Sequence, residues 1–324
     1  MRWLRHKAVS TAAAAVVLAG MVGALLAACG HAPAPAPSHA RPLRSPFTGE
    51  PVNALSRVLA VKIDNIVNAR PQTGLTRADL VYALPVEGGL SRFLAVFSAH
   101  DPPVIGPVRS AREDDLELLR QFGRPAFAYS GATATLLPYI RRTARIVNLY
   151  SGITRGYYRD TRRIAPYNLY AHTRRLLAQA RAASTARDIG FRFGPPPPGG
   201  TATRSAAVAY PAASFRFTWA AAQGRWLVSM DGTPAGTTDG GRLSPATVVI
   251  QHTTVRTSRF LEYGKPPPYA ESTGSGAALV LRDGKAWTTH WSRPDANSGT
   301  TFTTTTGQRM TFAPGQVWIV LAYR

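Results

Sequence analysis

The sequence predicts an α/β (α+β) chain: a layered first domain with a mixed sheet and helices, and a smaller β-rich second domain. Three observations carry that reading. Apolar runs of strand length alternate with amphipathic helical stretches up to about residue 190. The block FGPPPPGGTAT at 193–203 then interrupts every periodicity, because four prolines continue neither a helix nor a central strand. Beyond it the periodic runs are almost all of strand character.

The elements follow in order from a leader. Arg2, Arg5 and Lys7 precede an apolar, small-residue run from Val9 to Leu26, and Leu26-Ala27-Ala28-Cys29 comes next. A charged start, an apolar stretch and a small-residue cleavage site predict a secretory signal over 1–28, not a retained span. Cys29 is the only cysteine. It stands where the bacterial lipobox, which this stretch resembles, places the residue that is acylated and becomes the mature N-terminus. No twin arginine is present, so a Sec-type route is expected. Acylation would use the only thiol, leaving a mature chain without disulfides and dependent on burial. The expected location is the extracytoplasmic face of the cell membrane, held by lipid at Cys29.

Residues 29–45 are rich in proline and alanine and read as a semi-rigid tether. A first domain is then expected over 46–190, a linker over 191–205 and a second domain over 206–324, the two domains being separable folding units. In the first, RVLAVKI (57–63), ADLVYALPV (78–86) and LSRFLAVFS (90–98) read as strands, the last two as a hairpin through Gly88-Gly89. A helix near 111–122, a strand PAFAYS (125–130), a helix near 132–141, a strand RIVNLY (145–150) and a helix near 170–184 follow. In the second, SFRFTWA (214–220) and RWLVSM (225–230) flank a turn. ATVVIQHT (246–253), AALVLRDGKAWTTHW (277–291) with its Asp283-Gly284 turn, and QVWIVLAY (316–323) complete the strands.

Without the leader, 35 Lys and Arg stand against 17 Asp and Glu, a net charge of +18. Export and the scattering of single basic residues argue against nucleic acid. Over the full sequence arginine outnumbers lysine 34 to 4, a GC-rich coding habit of the actinobacterial kind that accounts for part of the charge. The rest suits anionic surroundings such as headgroups and wall polymers. The histidines show no metal-binding spacing and no nucleotide loop is present, so neither metal nor cofactor is implied.

One stretch stands out: VIGPVRSARED, 104–114. Ser110-Ala111-Arg112-Glu113 matches a capping box, so Ser110 is expected to cap the following helix. As a nucleophile Ser110 lacks both the G-x-S-x-G turn and a nearby base. Arg109 and Arg112 oppose the helix dipole there. Either they pair internally, with Asp64, Asp79, Glu87 or the helix acids, or they hold an external anion with the helix amides.

KIDN (62–65), ARPQTGLTRADLVY (69–82), VEGGLSRFLAVF (86–97), IGPVRSAR (105–112) and YYRDTRRIAPYNLY (157–170) together resemble the YerB-like lipoproteins, two-part bacterial envelope proteins of unknown function. The likeness continues through Trp226, Asp231-Gly232, ATVVI (246–250), Gly274-Ser275-Gly276 and FAPGQVWIVL (312–321). It implies a compact α/β first domain, a β-rich second one and a lipid-anchored location, and it supplies no catalytic mechanism. Carried over by position, its polar residues are Asp64, Asn65, Arg70, Gln72, Asp79, Glu87, Arg92, Arg109, Ser110, Arg112, Arg159, Asp160 and Asn168. Two positions depart from the family pattern, Ala83 where an acid often follows Val-Tyr, and Tyr167 where a histidine often precedes the asparagine.

Two function classes remain. In one, the chain is an envelope lipoprotein that binds an anionic wall component or a wall-synthesis partner through an arginine-rich cleft. In the other, it is a hydrolase or transferase acting on phosphate- or carboxylate-bearing glycans, with acids such as Asp79 and Glu87 as the working pair. A close, exposed acid pair facing the arginines would favour the enzyme. Tyr157, Tyr158, Tyr167 and Tyr170, interleaved with Arg159, Arg162 and Arg163, read either as a sugar-stacking surface or as aromatic core with solvated arginines.

Overall fold

Alternation along one strand sets the architecture of the computed structural model, which describes residues 42–262 and 264–324. In β1 (Leu59–Asp64), Leu59, Val61 and Ile63 enter one apolar core while Ala60 enters a second one, on the opposite face. Lys62 and Asp64 share the parity of Ala60, so they point to that second face. The chain continues through β2 (Leu80–Pro85), β3 (Ser91–Phe97), β4 (Val104–Ile105), α1 (Glu113–Leu119), β5 (Ala126–Tyr129), α2 (Leu136–Arg142), β6 (Val147–Tyr150), β7 (Tyr157–Arg159), β8 (Leu169–His172) and α3 (Thr173–Gln179). The second half holds β9 (Thr201–Ala202), β10 (Ser205–Tyr210), β11 (Ala213–Ala220), β12 (Arg225–Met230), β13 (Thr233–Pro234), β14 (Thr247–Thr253), β15 (Val255–Thr257), β16 (Pro268–Ala270), β17 (Gly274–Arg282), β18 (Lys285–Arg293), β19 (Thr301–Thr304) and β20 (Val317–Tyr323).

Eleven of these strands form one mixed sheet, in the order β19-β18-β17-β14-β20-β2-β3-β1-β5-β6, with β9 beside β18. The last strand, β20, lies parallel to both β14 and β2, in the register Leu80↔Val317 to Ala83↔Val320. The small sheet β10-β11-β12-β13 and the sheet β4-β8-β7 supply Phe215, Phe217, Trp226, Leu169 and Ala171 to the first core. Helices α1 and α2 supply Leu118, Leu119, Leu136 and Ile140 to the second.

The chain is therefore mostly β, built on a large mixed sheet, and its helices are short. The helix expected over 111–122 spans seven residues and ends in a 3-10 turn to Phe122, before Gly123 at φ 81°. The one expected near 170–184 stops at Gln179, and its first residues belong to β8, paired with β4 and β7.

Pro42–Arg324 form one compact unit, in which the two expected domains share one sheet. The proline/glycine segment between its halves is tied down. Gly194 N–H donates to the Phe312 carbonyl, Trp287 Nε1 donates to that of Pro198, and β9 pairs with β18. Among the described residues no helix is long and apolar enough to cross a membrane.

Candidate functional site: an arginine-lined cleft

Strand ends build the cleft. β3 runs antiparallel to β1 and β2, so Arg92 faces Asp64 on one side and Leu84 on the other. The turn Glu87–Gly89 joins β2 to β3, with Gly88 and Gly89 at φ 69° and 70°. The glycine pair closes the expected hairpin, and a Cβ on Gly89 would stand 2.6 Å from Pro211. The segment after Gly106 continues past the end of β1. Arg109 N–H donates to the Lys62 carbonyl, Ser130 N–H to that of Arg109, and Ala111 N–H to that of Gly131. Gly106 is required there because a Cβ would meet the Tyr170 ring at 2.6 Å.

The result is a cleft of about 510 Å³ lined by Asp64, Glu87, Arg92, Arg109 and Arg112, by apolar Ile66, Val86 and Leu90, by Tyr167, and by Glu262 and Lys265 from the far half of the chain. Arg112 grips Glu87 with two parallel bonds, Nε to Oε1 at 2.5 Å and Nη2 to Oε2 at 2.9 Å. Burial opposes ionisation of Glu87, but the bonds and charge of Arg112 outweigh it and hold the carboxyl below its usual range. Asp64 stands between the other two arginines. Its Oδ2 lies 2.8 Å from Arg109 Nε and its Oδ1 lies 4.0 Å from Arg92 Nε. The shorter approach lacks the alignment of a hydrogen bond, so it is a charge contact only. The Arg109 side chain donates no hydrogen bond among the described residues and sits 5.8 Å from the centre of the Tyr167 ring. Arg92 donates one, from Nη1 to the Ser110 carbonyl at 3.2 Å. Burial, then repulsion from Arg112, brings the Arg92 guanidinium down to about 10, so it stays charged at neutral pH.

Not every sequence candidate comes here. Ser110 offers only its backbone carbonyl, and it does not cap the helix. Arg112 is the N-cap, and its amide is closed by Asp115 Oδ2 at 2.8 Å, a capping register two residues later than the sequence reading. Asn65 and Gln72 lie beneath the cleft in a buried network. Gln72 Nε2 donates to Asn65 Oδ1 at 2.9 Å, and Asn65 Nδ2 to Ser91 Oγ at 2.9 Å. Arg70 binds the Asn65 carbonyl at 2.7 Å and pairs with Asp231 of the second half at 2.8 Å. Arg159, Asp160 and Asn168 belong to the β7–β8 hairpin, where Arg159 donates to Asn168 and Asp160 pairs with Arg162. Asp79 is buried at the opposite end of β2 from Glu87. It accepts the Ser98 and Ala99 amides and faces His100. Seven residues of strand and turn keep Asp79 and Glu87 apart, about 26 Å at strand rise, so they are not the acid pair that the enzyme reading needs. Cys29 lies outside the described residues.

The sequence pattern described as "Protein of unknown function (DUF3048) N-terminal domain" matches residues 47–186, and the C-terminal domain of the same family matches 206–319. The chain belongs to the DUF3048 family, which is YerB-like. It is 45% identical over 80 residues to the "Putative lipoprotein YerB" of Bacillus subtilis (strain 168), a match spanning 24% of each chain. The crystal structure of YerB protein from Bacillus subtilis shares the fold, with a TM-score of 0.74 at 22% identity over 86% of this chain and 96% of that one.

Within this DUF3048 chain, the two departures from the family pattern take different places. Ala83 is buried in the first core, and its carbonyl accepts the Tyr210 hydroxyl. Tyr167 lines the cleft and carries the face over which Arg109 lies. The sequence reading missed Glu262 and Lys265. They follow α1 by more than a hundred residues and carry no local signal of where they fold back. It also missed Ile66, Val86 and Leu90, which read simply as strand-end hydrophobics.

Proposed function

We propose that this chain is a ligand-binding lipoprotein of the cell envelope, held at the extracytoplasmic face by acyl chains on Cys29. In this reading it takes an anionic wall component, or an anionic surface of a wall-synthesis partner, in the arginine-lined cleft. The leader, the Leu26-Ala27-Ala28-Cys29 stretch and the likeness to a Bacillus relative named as a lipoprotein support the anchor.

One observation carries the binding reading. Asp64 engages Arg109 and Arg92 along their Nε edges, so among the described residues Arg109 keeps both Nη groups free of internal hydrogen bonds and Arg92 keeps Nη2 free. Unspent guanidinium donors on a cleft wall are a clamp for an oxyanion. The internal carboxylates orient this pair without neutralising its donors. Arg112 is different, because Glu87 consumes its fork. The acids of the cleft are held in ion pairs, which supports binding over acid/base work.

Thermal stability of the full chain with and without carboxylated or phosphorylated wall fragments, against chloride at equal ionic strength, tests the site. A ligand-induced rise is expected in the wild type and in Arg112→Lys. It is expected to shrink sharply in Arg109→Gln, a change at a side chain that is a quarter exposed. No response in the wild type would end the reading. For the anchor, Cys29→Ala is expected to abolish acyl labelling, and unchanged labelling would refute lipidation.

A further inference from the structure

The cleft has walls as well as a clamp, and the walls are apolar. Ile66, Leu90 and Tyr167 are half-buried, leaving hydrophobic surface facing the cavity beside the arginines. Val86 closes the same wall. A site made for a hydrated polyanion would carry excess charge around its rim. This one does not. Arg92, Arg109 and Arg112 are opposed by Asp64 and Glu87, leaving one positive charge, and the Lys265 and Glu262 of the facing hairpin add one of each sign. The volume, about 510 Å³, is that of a pocket for one small group, not a groove for a polymer backbone.

We infer that the cleft takes a singly charged carboxylate attached to an apolar arm. This rests on the anion-binding reading above and narrows it. The carboxylate lies on the free Nη groups of Arg109 and the free Nη2 of Arg92, where a planar oxyanion meets donors from two guanidiniums. The arm lies against Ile66, Leu90 and Val86, with Tyr167 at the side. One net positive charge matches one carboxylate. A doubly or triply charged ligand would bring uncompensated charge into a site whose third arginine, Arg112, is already bound to Glu87 and the Ala111 carbonyl. Apolar burial then provides the selectivity among monoanions.

The test uses the full chain and straight-chain carboxylates as probes, hexanoate, octanoate and decanoate, by calorimetry at fixed ionic strength. Affinity is expected to rise about two- to fourfold per methylene while the arm remains within the wall. Octanol, the same arm without charge, is expected to bind at least about tenfold more weakly than octanoate. Citrate and tripolyphosphate are expected to bind no better than hexanoate. Leu90→Ser and Ile66→Ser, both at half-buried positions, are expected to flatten the chain-length dependence and to leave hexanoate binding sensitive to Arg109→Gln. If citrate or tripolyphosphate bind more tightly and chain length has no effect, the inference falls while anion binding stands. If neither the carboxylates nor tripolyphosphate binds, both fall. Should octanol match octanoate, the cleft is merely an apolar surface and the clamp is refuted.

Discussion

Lys62 and Asp115 form an ion pair 2.6 Å apart in which neither side chain is exposed to solvent. The alternation of β1 sends Lys62 to the helix-bearing face, and α1 meets it there with Asp115. The other oxygen of Asp115 closes the Arg112 amide, so one carboxylate fixes both the helix start and its docking. Removing one partner leaves a buried charge without compensation. Lys62→Met is expected to destabilise the fold by about 3–5 kcal/mol, with part of the loss recovered in Lys62→Met/Asp115→Leu. Urea unfolding of the single and double variants measures this. A double variant no better than the single would show that the charge pairing is not what Lys62 supplies.

Asp114, the next residue of the same helix, has the opposite character. Burial first, and then the charge of Asp115, push its carboxyl up to about 7 against the pull of Lys62. Its Oδ1 has no hydrogen-bond partner among the described residues. The folded chain therefore holds this proton more tightly than the unfolded chain does. Stability from this group is fully present below the ordinary carboxyl range and is lost as pH rises from about 4 to about 7. Asp114→Asn is expected to match the wild type near pH 4 and to exceed it at pH 8, by on the order of 2–4 kcal/mol. Parallel unfolding profiles for the two proteins across that range would contradict this.

Glu117 and Glu113 latch α1 to the second half of the chain. Glu117 accepts the Tyr269 hydroxyl at 2.7 Å, the Ser272 amide and hydroxyl at 3.0 and 2.9 Å, and the Thr273 amide at 3.2 Å. Glu113 takes the Ser258 hydroxyl at 2.6 Å and pairs with Arg259 at 2.7 Å. Glu117→Ala would leave several donors without a partner at once, at a cost of about 2–4 kcal/mol. Hydrogen exchange is expected to rise first at residues 269–274. A rise spread evenly over the whole chain would mean that the latch is not local.

These carboxylates show what could be read from the sequence and what could not. The Asp283-Gly284 hairpin was legible because its two residues, at φ 47° and 71°, supply the turn by themselves. The β2–β3 hairpin was legible for the same kind of reason. The capping register was not, because tertiary contact overrode the local motif. Ser110-x-x-Glu113 has the better residues, but Lys62 fixes Asp115, and Glu113 is taken by Ser258 and Arg259. Arg109 and Arg112 were marked from their spacing. That Asp64 would touch only the Nε edge of one and Glu87 would consume the other depends on strand register, which no local pattern encodes. The short strands β4, β7, β8 and β15 were missed because two to four residues give too little periodicity to see.

The parallel insertion of β20 was equally invisible, and it decides how the chain folds. More than two hundred residues separate β20 from β2, yet Val317 N–H donates to the Asp79 carbonyl and Gln316 Nε2 donates to those of Leu75 and Ala78. Trp318 is fully buried, with its ring 5.3 Å from Phe93 of the first half and 6.4 Å from Phe215 of the second. A fragment of residues 206–324 would keep β14 beside β20 but expose the other edge of β20 and one side of Trp318. An open, apolar edge strand templates aggregation. The fragment is therefore expected to melt without a cooperative transition and to aggregate when made alone. Co-expression with residues 42–205 is expected to restore a soluble complex with a sharp melt. Cooperative unfolding and a dispersed amide spectrum for the isolated fragment would show that β20 needs no partner from the first half, and that the common sheet joins two domains already folded.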